Sequence, residues 1–148
     1  MQWKIVYNLT TGIVTAVNSR DAQDGESVIY LDPALCGWAN VYPERYRAVD
    51  GALEEIPGAK EAYELREAKK GFQNKVNTTC ESHILAKYSV YDQLNTLAGH
   101  YGEDAKGVYS LFTLNCRDES NRVWDLIEAA ATVKEAEDAF ATLNLPME

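Results

Sequence analysis

The run Tyr46-Arg47-Ala48-Val49-Asp50-Gly51-Ala52-Leu53-Glu54-Glu55-Ile56-Pro57-Gly58 decides the fold. Two short strand-like segments flank Asp50-Gly51, the pair preferred in a type I′ turn, whose twist matches the strands it joins. Pro57-Gly58 then stops the β pattern. From residue 59 the period is helical, and residues 59–86 contain no proline and one glycine, Gly71. Leu65, Phe72, Val76, Cys80 and Ile84 fall at intervals of four and seven, which places a narrow apolar stripe on a long helix. Glu61, Glu64, Glu67, Lys69, Lys70 and Lys75 occupy its other face.

Toward the N-terminus, Trp3, Ile5 and Tyr7 share one face of an alternating segment, and Asn8-Leu9-Thr10-Thr11-Gly12 is a polar turn. Ile13 to Val17 resumes as a β-branched run, so residues 2–18 read as a hairpin. Ser27 to Leu31 reads as a third strand closed by Asp32-Pro33, and residues 33–44 as irregular chain carrying Trp38 and Tyr42. Toward the C-terminus, Ser89-Val90-Tyr91-Asp92 has the form of a capping box that starts a short helix through Leu94, Leu97 and Ala98. A helix over about 103–131 has Val108, Leu111, Phe112, Val123, Trp124, Ile127 and Ala130 as its apolar face, with the polar run 115–121 as a break or an exposed stretch. Thr132-Val133-Lys134-Glu135 is a capping box for a last helix, about 133–143, and Pro146 stops it. The fold class expected is therefore α+β. A small antiparallel β module spans 1–57, and a helical domain spans 58–148 with helices at about 59–86, 90–98, 103–131 and 133–143.

The chain has 148 residues, with 14 Lys+Arg against 23 Asp+Glu, a net charge of −9. Residues 1–56 carry 4 basic and 8 acidic groups, and the rest carry 10 and 15, so the acidity is a shared background rather than a patch. No clustered Lys and Arg exist to track a phosphate backbone or an anionic membrane, so neither nucleic acid nor membrane is an expected partner. No apolar stretch approaches the ~20 residues that span a bilayer. The opening Met1 to Tyr7 alternates like a strand and lacks the shape of a secretory leader.

Catalytic signatures are absent: there is no GxSxG, GxGxxG, P-loop or HExxH pattern. Cys36, Cys80 and Cys116 form no CxxC pair and read as small buried hydrophobes of a reducing compartment. Asp21, Asp24 and Glu26 lie in a Gly-containing loop and could interest a hard cation, but their spacing is not that of an EF-hand, and a solvated acidic loop is the simpler reading. Glu81 and His83 miss a shared helical face by one residue, which favours a packed helical histidine over an acid–base pair. No metal, cofactor or catalytic residue is assigned, and the chain is not expected to be an enzyme. Nine tyrosines and three tryptophans suit protein interfaces, or a sugar-binding platform over the aromatic loop 36–46.

Two segments resemble small bacteriophage tail proteins of the tail-fibre and tail-fibre-assembly type. The first is Trp3-Lys4-Ile5-Val6-Tyr7-Asn8-Leu9-Thr10-Thr11-Gly12, followed by Tyr46-Arg47-Ala48-Val49-Asp50-Gly51-Ala52-Leu53. It is similar to the strand, TG turn, strand and D-G-x-L opening of such proteins. The second, Cys80-Glu81-Ser82-His83-Ile84-Leu85-Ala86-Lys87-Tyr88-Ser89-Val90-Tyr91-Asp92-Gln93-Leu94-Asn95, is similar to their helical tails. Cys116-Arg117-Asp118-Glu119-Ser120-Asn121, leading into a helix that ends Ile127-Glu128-Ala129, fits the same pattern. The resemblance implies a non-enzymatic structural component of a phage tail, at the fibre or baseplate, made in the host bacterial cytoplasm and located in the virion. An assembly chaperone and a host-surface glycan-binding module are the alternatives. The partners expected are other tail proteins and further copies of the chain, with a trimer favoured as in many phage fibres; no residue supports a host receptor. Docking contacts are assigned to Trp3, Tyr7, Trp38 and Tyr42, and oligomer or helix-packing contacts to Leu65, Phe72, Val76, Cys80 and Ile84.

Overall fold

The computed structural model describes residues 1–147 and shows an α+β chain, five strands followed by four helices. Strand β1 (Trp3–Asn8) is central, pairing antiparallel with β2 (Val14–Val17) on one side and β3 (Glu26–Leu31) on the other. The β1–β2 turn forms because the Asn8 side-chain carbonyl accepts the N–H groups of Thr10 and Thr11, each at 2.9 Å, an Asx-type turn. Strands β4 (Tyr46–Val49) and β5 (Ala52–Glu55) form the expected hairpin. Asp50 and Gly51 sit at φ 49° and 81°, as a type I′ turn requires. The Ala48 N–H donates to the Gly12 carbonyl at 2.8 Å and ties this hairpin to the first turn. A Cβ at Gly12 would lie 3.0 Å from the Ala48 oxygen, so glycine permits that approach. The core of this part gathers Ile5, Val14, Cys36, Ala39 and Tyr46, with Trp3, Ile29, Leu31 and Leu53 packed around it.

Residues 33–44 are less irregular than expected, with short 3₁₀ turns at Pro33–Leu35 and Pro43–Arg45. The Tyr46 hydroxyl accepts the Trp38 N–H at 3.0 Å and pins the segment between them. Gly37 stands at φ 51°, where a Cβ would meet that hydroxyl at 2.7 Å. The loop before β3 is closed by charge. Arg20 donates to both Glu26 oxygens at 2.5 and 2.6 Å, and Glu26 also accepts from the Thr15 hydroxyl and the Gln23 N–H. Lys4 pairs with Asp21 at 2.8 Å.

The helices are α1 (Ala59–Lys87), α2 (Val90–Leu97), α3 (Glu103–Ala129) and α4 (Val133–Ala141). Their ends lie within two residues of the sequence expectation, ordinary fraying for helix termini. The chain divides into two compact units, one over Met1–Glu64 and one from Leu65 onward, so the division falls inside α1 rather than after residue 57. Both arms of the Ser89/Asp92 capping box are present. The second box is only half made. Thr132 accepts the Glu135 N–H at 3.1 Å, but the Glu135 carboxylate reaches past the cap to the Ala131 N–H at 2.7 Å.

Two expectations for α3 need correction. The polar run 115–121 does not break the helix: Cys116 and Ser120, four residues apart, both turn inward, and the Ser120 hydroxyl donates to the Cys116 carbonyl at 2.9 Å. The buried face is Tyr109, Phe112, Cys116, Ser120, Val123 and Ile127. Val108, Leu111 and Trp124 lie on exposed faces. Spacings of three and four link 109, 112, 116, 120, 123 and 127 without a gap, whereas 108 and 111 are rotated off that line.

The α1 stripe is covered by the chain's own helices. Val76 is fully buried with Val123, Ile127, Ala130 and Ala136, and Phe72 packs at the edge of that group, its ring 5.6 Å from that of Phe140. Cys80 packs with Phe112 and Cys116, with Ile84 beside them. Glu119 fastens the C-terminal segment: it accepts from Arg122 at 2.7 and 2.8 Å and from the Asn144 N–H at 2.8 Å, while Arg122 also donates to the Thr142 carbonyl.

Two predictions follow from this packing. Phe112→Ala empties a site with 2% exposure and is expected to cost about 3–5 kcal/mol in chemical denaturation. The second concerns acid. The Arg20 guanidinium, helped by Thr15 and the Gln23 N–H, lowers the Glu26 carboxyl from 4.5 to about 2. Arg122 does the same to Glu119, against a desolvation that opposes it, with the Asn144 N–H assisting. Because both folded values lie below the unfolded one, the unfolded chain binds protons first. The stabilisation is complete above about pH 4.5 and is lost as pH falls toward 2. Far-UV circular dichroism should show acid unfolding in that window, and Glu119→Gln should flatten the part that belongs to the helices. A transition unchanged by Glu119→Gln would count against this assignment.

Candidate functional site

The four aromatic residues assigned to docking do not form one surface. Trp3 is half-buried against the β core, on the same face as Ile5, and Tyr7 is half-buried as well. The Tyr42 ring meets Tyr63 edge-on, with centroids 4.1 Å apart. Trp38 alone is freely exposed, at 62%, in a turn that also exposes Leu35 and Val41. In its sheet β3 pairs only with β1, which leaves one edge open, with the exposed Tyr30 on that strand.

A more extensive feature lies in the helical unit, on α2, the short helix that the sequence runs through Leu94 and Leu97. Helix α2 has two unlike faces. Thr96 is buried, and Gln93 is held from both ends: its amide N–H donates to the Tyr88 carbonyl, and its carbonyl accepts the Tyr109 hydroxyl, each at 2.9 Å. The other face presents Val90, Leu94 and Leu97 at intervals of four and three, 63%, 62% and 52% exposed, with Tyr91 beside them. These side chains form an apolar ridge. Next to it runs a groove of about 440 Å³ lined by Cys80, Ile84, Leu85, Val90, Gln93 and Arg117, among others. It continues into a pocket of about 520 Å³ that shares Ile84, Gln93 and Arg117 and adds Leu97, Tyr109 and Leu114.

The groove brings together a thiol, an amide, a carboxylate and a guanidinium: Cys80, Gln93, Glu81 and Arg117. Its thiol, Cys80, donates weakly to the Cys116 carbonyl at 3.6 Å. Burial pushes the Cys116 and Cys36 thiols up, away from the thiolate a nucleophile needs. His83 Nε2 lies 2.7 Å from the Pro146 carbonyl, so that nitrogen carries the proton, and its ring stacks near Phe112 at 5.7 Å. His83 is therefore a packed histidine rather than a partner of Glu81. Asp21 and Glu26 are engaged by Lys4 and Arg20, and among the described residues no group of three or more His, Cys, Asp or Glu could hold a metal ion. Among the described residues, no helix is long and apolar enough to cross a membrane.

Of the helix-packing residues, Val76 and Cys80 are buried, Leu65, Phe72 and Ile84 are half-buried, and Ile84 and Cys80 reach the groove wall. The sequence assigns no contact role to Leu94, Leu97, Leu114, Gln93 or Arg117, although Leu94 and Leu97 mark the short helix. A signal was present: residues 93–102 and 107–116 contain no Asp, Glu, Lys or Arg, while 117–138 contain ten. Comparison with protein families, with curated proteins and with solved structures found no match.

Because Leu94 makes its exposed ridge rather than core, Leu94→Asp should leave stability within about 0.5 kcal/mol of the parent. Thermal and denaturant unfolding check this, and a loss comparable to that of Phe112→Ala would return Leu94 to the core.

Proposed function

We propose that the chain is a non-enzymatic component of a bacteriophage tail, at the fibre or baseplate, that works through protein–protein assembly. The observation that carries the assembly reading is the exposed, charge-poor ridge of α2 with its adjoining groove. An isolated exposed leucine needs no explanation, but a contiguous apolar patch rimmed by polar residues marks a contact surface. The tail assignment draws its support from the resemblance. The segment Cys80 to Asn95, similar to the helical tails of such proteins, contributes the groove wall at Ile84, the Ser89 cap and the ridge at Val90 and Leu94. The turn bearing Leu35, Trp38 and Val41 supplies a second exposed apolar point in the β unit.

Quantitative mass spectrometry of purified particles should recover the chain in fixed proportion to other tail proteins. Its absence from finished particles, with the chain bound instead to unassembled fibre protein, would make it an assembly chaperone. Turnover of a substrate by the purified chain would overturn both readings.

A further inference from the structure

Past α4, side chains of α1 and α3 hold the backbone of residues 144–147. The Asn144 N–H donates to the Glu119 carboxylate at 2.8 Å, the Pro146 carbonyl accepts His83 Nε2–H at 2.7 Å, and the Met147 carbonyl accepts from Lys87 Nζ at 3.4 Å. Among these ties Leu145 packs on the cluster of Cys80, Phe112 and Cys116. We propose that residues 144–147 are a strap that closes over the two thiols and opens by itself while the helices stay packed, so that its opening, and not unfolding, admits a small thiol-reactive molecule to Cys116. The device belongs to the chain alone and does not depend on the assembly reading.

The two thiols differ in access. Cys80 reaches the groove wall and keeps 8% exposure, whereas Cys116 has none. On α1, His83 and Lys87 follow Cys80 by three and seven residues, and on α3 Glu119 follows Cys116 by three. Those spacings share a helix face, so the groups that hold the strap stand about one turn along from the thiols. Phe112 joins the two sides, its ring 5.7 Å from that of His83 and 4.3 Å from Lys87 Nζ. Leu145 is the side chain through which the strap covers this cluster.

The strap is held more lightly than the helices beneath it. Val76, Val123, Ile127 and Ala136 have no exposure, and separating α1 from α3 and α4 gives up that burial. Opening the strap gives up two half-buried side chains, Leu145 and Pro146, and three hydrogen bonds from side chains. Two of those bonds are exposed, where water replaces them. Segments with few buried apolar contacts and exposed hydrogen bonds open at a free energy well below that of global unfolding. Pro146 restricts the open strap, so closing again costs it less freedom.

Alkylation of the native full chain with iodoacetamide, read by peptide mass spectrometry, tests the strap against an internal reference. Cys36 is fully buried in the β core. Cys116 should react by a route nearly independent of urea below the unfolding transition, while Cys36 should react only as the chain unfolds. Leu145→Ala should speed reaction at Cys116 at least about tenfold and leave Cys36 unchanged. Pro146→Gly, which keeps the apolar anchor and loosens the open strap, should speed it about two- to fivefold. A Cys116 that yields only along the unfolding transition of the helices, followed by far-UV circular dichroism, overturns the proposal. So does local reaction of Cys116 at a rate that the two variants leave unchanged, because the route then runs through the groove beside Cys80.

Discussion

An apolar stripe on a helix can be buried only once, and in this chain the stripe of α1 is buried by α3 and α4. Val76 against Val123, Ile127 and Ala136 is the contact on which the rest of the helical unit depends. It fixes the rotation of α1, and with it which side carries Ile84 and Cys80. It fixes which side of α3 is inward, so that Cys116 and Ser120 turn in while Leu111 and Leu114 turn out. It also removes the α1 stripe as a seam for a coiled coil, because Val76 has no exposure left to give to another chain. Any association of this unit has to use a different face.

That constraint explains why α2 looks as it does. A helix of eight residues is too short to stand alone in water. It is held by its capping box, by burial of Thr96 and by the Tyr88–Gln93–Tyr109 hydrogen bonds, most of them polar contacts. Those contacts leave its leucines unused for folding. A surface helix normally turns its apolar side inward, and α2 turns inward a threonine and a glutamine. The inversion fits a helix whose apolar side is reserved for a contact outside the unit. Ordinary surface economy would place charge there, as on the distal half of α3.

Much of the fold was legible because local chemistry settled it. Asp50-Gly51 specifies its turn through backbone twist, Ser89 and Asp92 specify a helix start through two reciprocal hydrogen bonds, and the 28 residues after Gly58 lack any proline. The site was less legible because burial is a pairwise property. Periodicity says that Leu94 and Leu97 share a face, but not whether that face meets α3 or solvent. Both outcomes satisfy the same spacing. For the same reason the apolar pattern marks Val108 and Leu111 as the inner face of α3 in place of Tyr109, Cys116 and Ser120, of which Tyr109 bonds Gln93 and Ser120 bonds within the helix. The distribution of charge was the better guide, since it does not depend on which neighbour a helix finds.

The two units also resist change by different means. The β unit closes its long loop with the Arg20–Glu26 ion pair, whose carboxylate side is 11% exposed, and it leaves β3 with an open edge. The helical unit relies on apolar contacts between α1, α3 and α4, with Glu119 and Arg122 added at the C-terminal segment. Acid therefore acts on loops and on the last segment before it reaches the Val76 packing. The exposed α2 ridge is hydrocarbon, with Gln93 fixed internally. A contact made through such a ridge is governed by concentration and by the shape of its partner more than by pH.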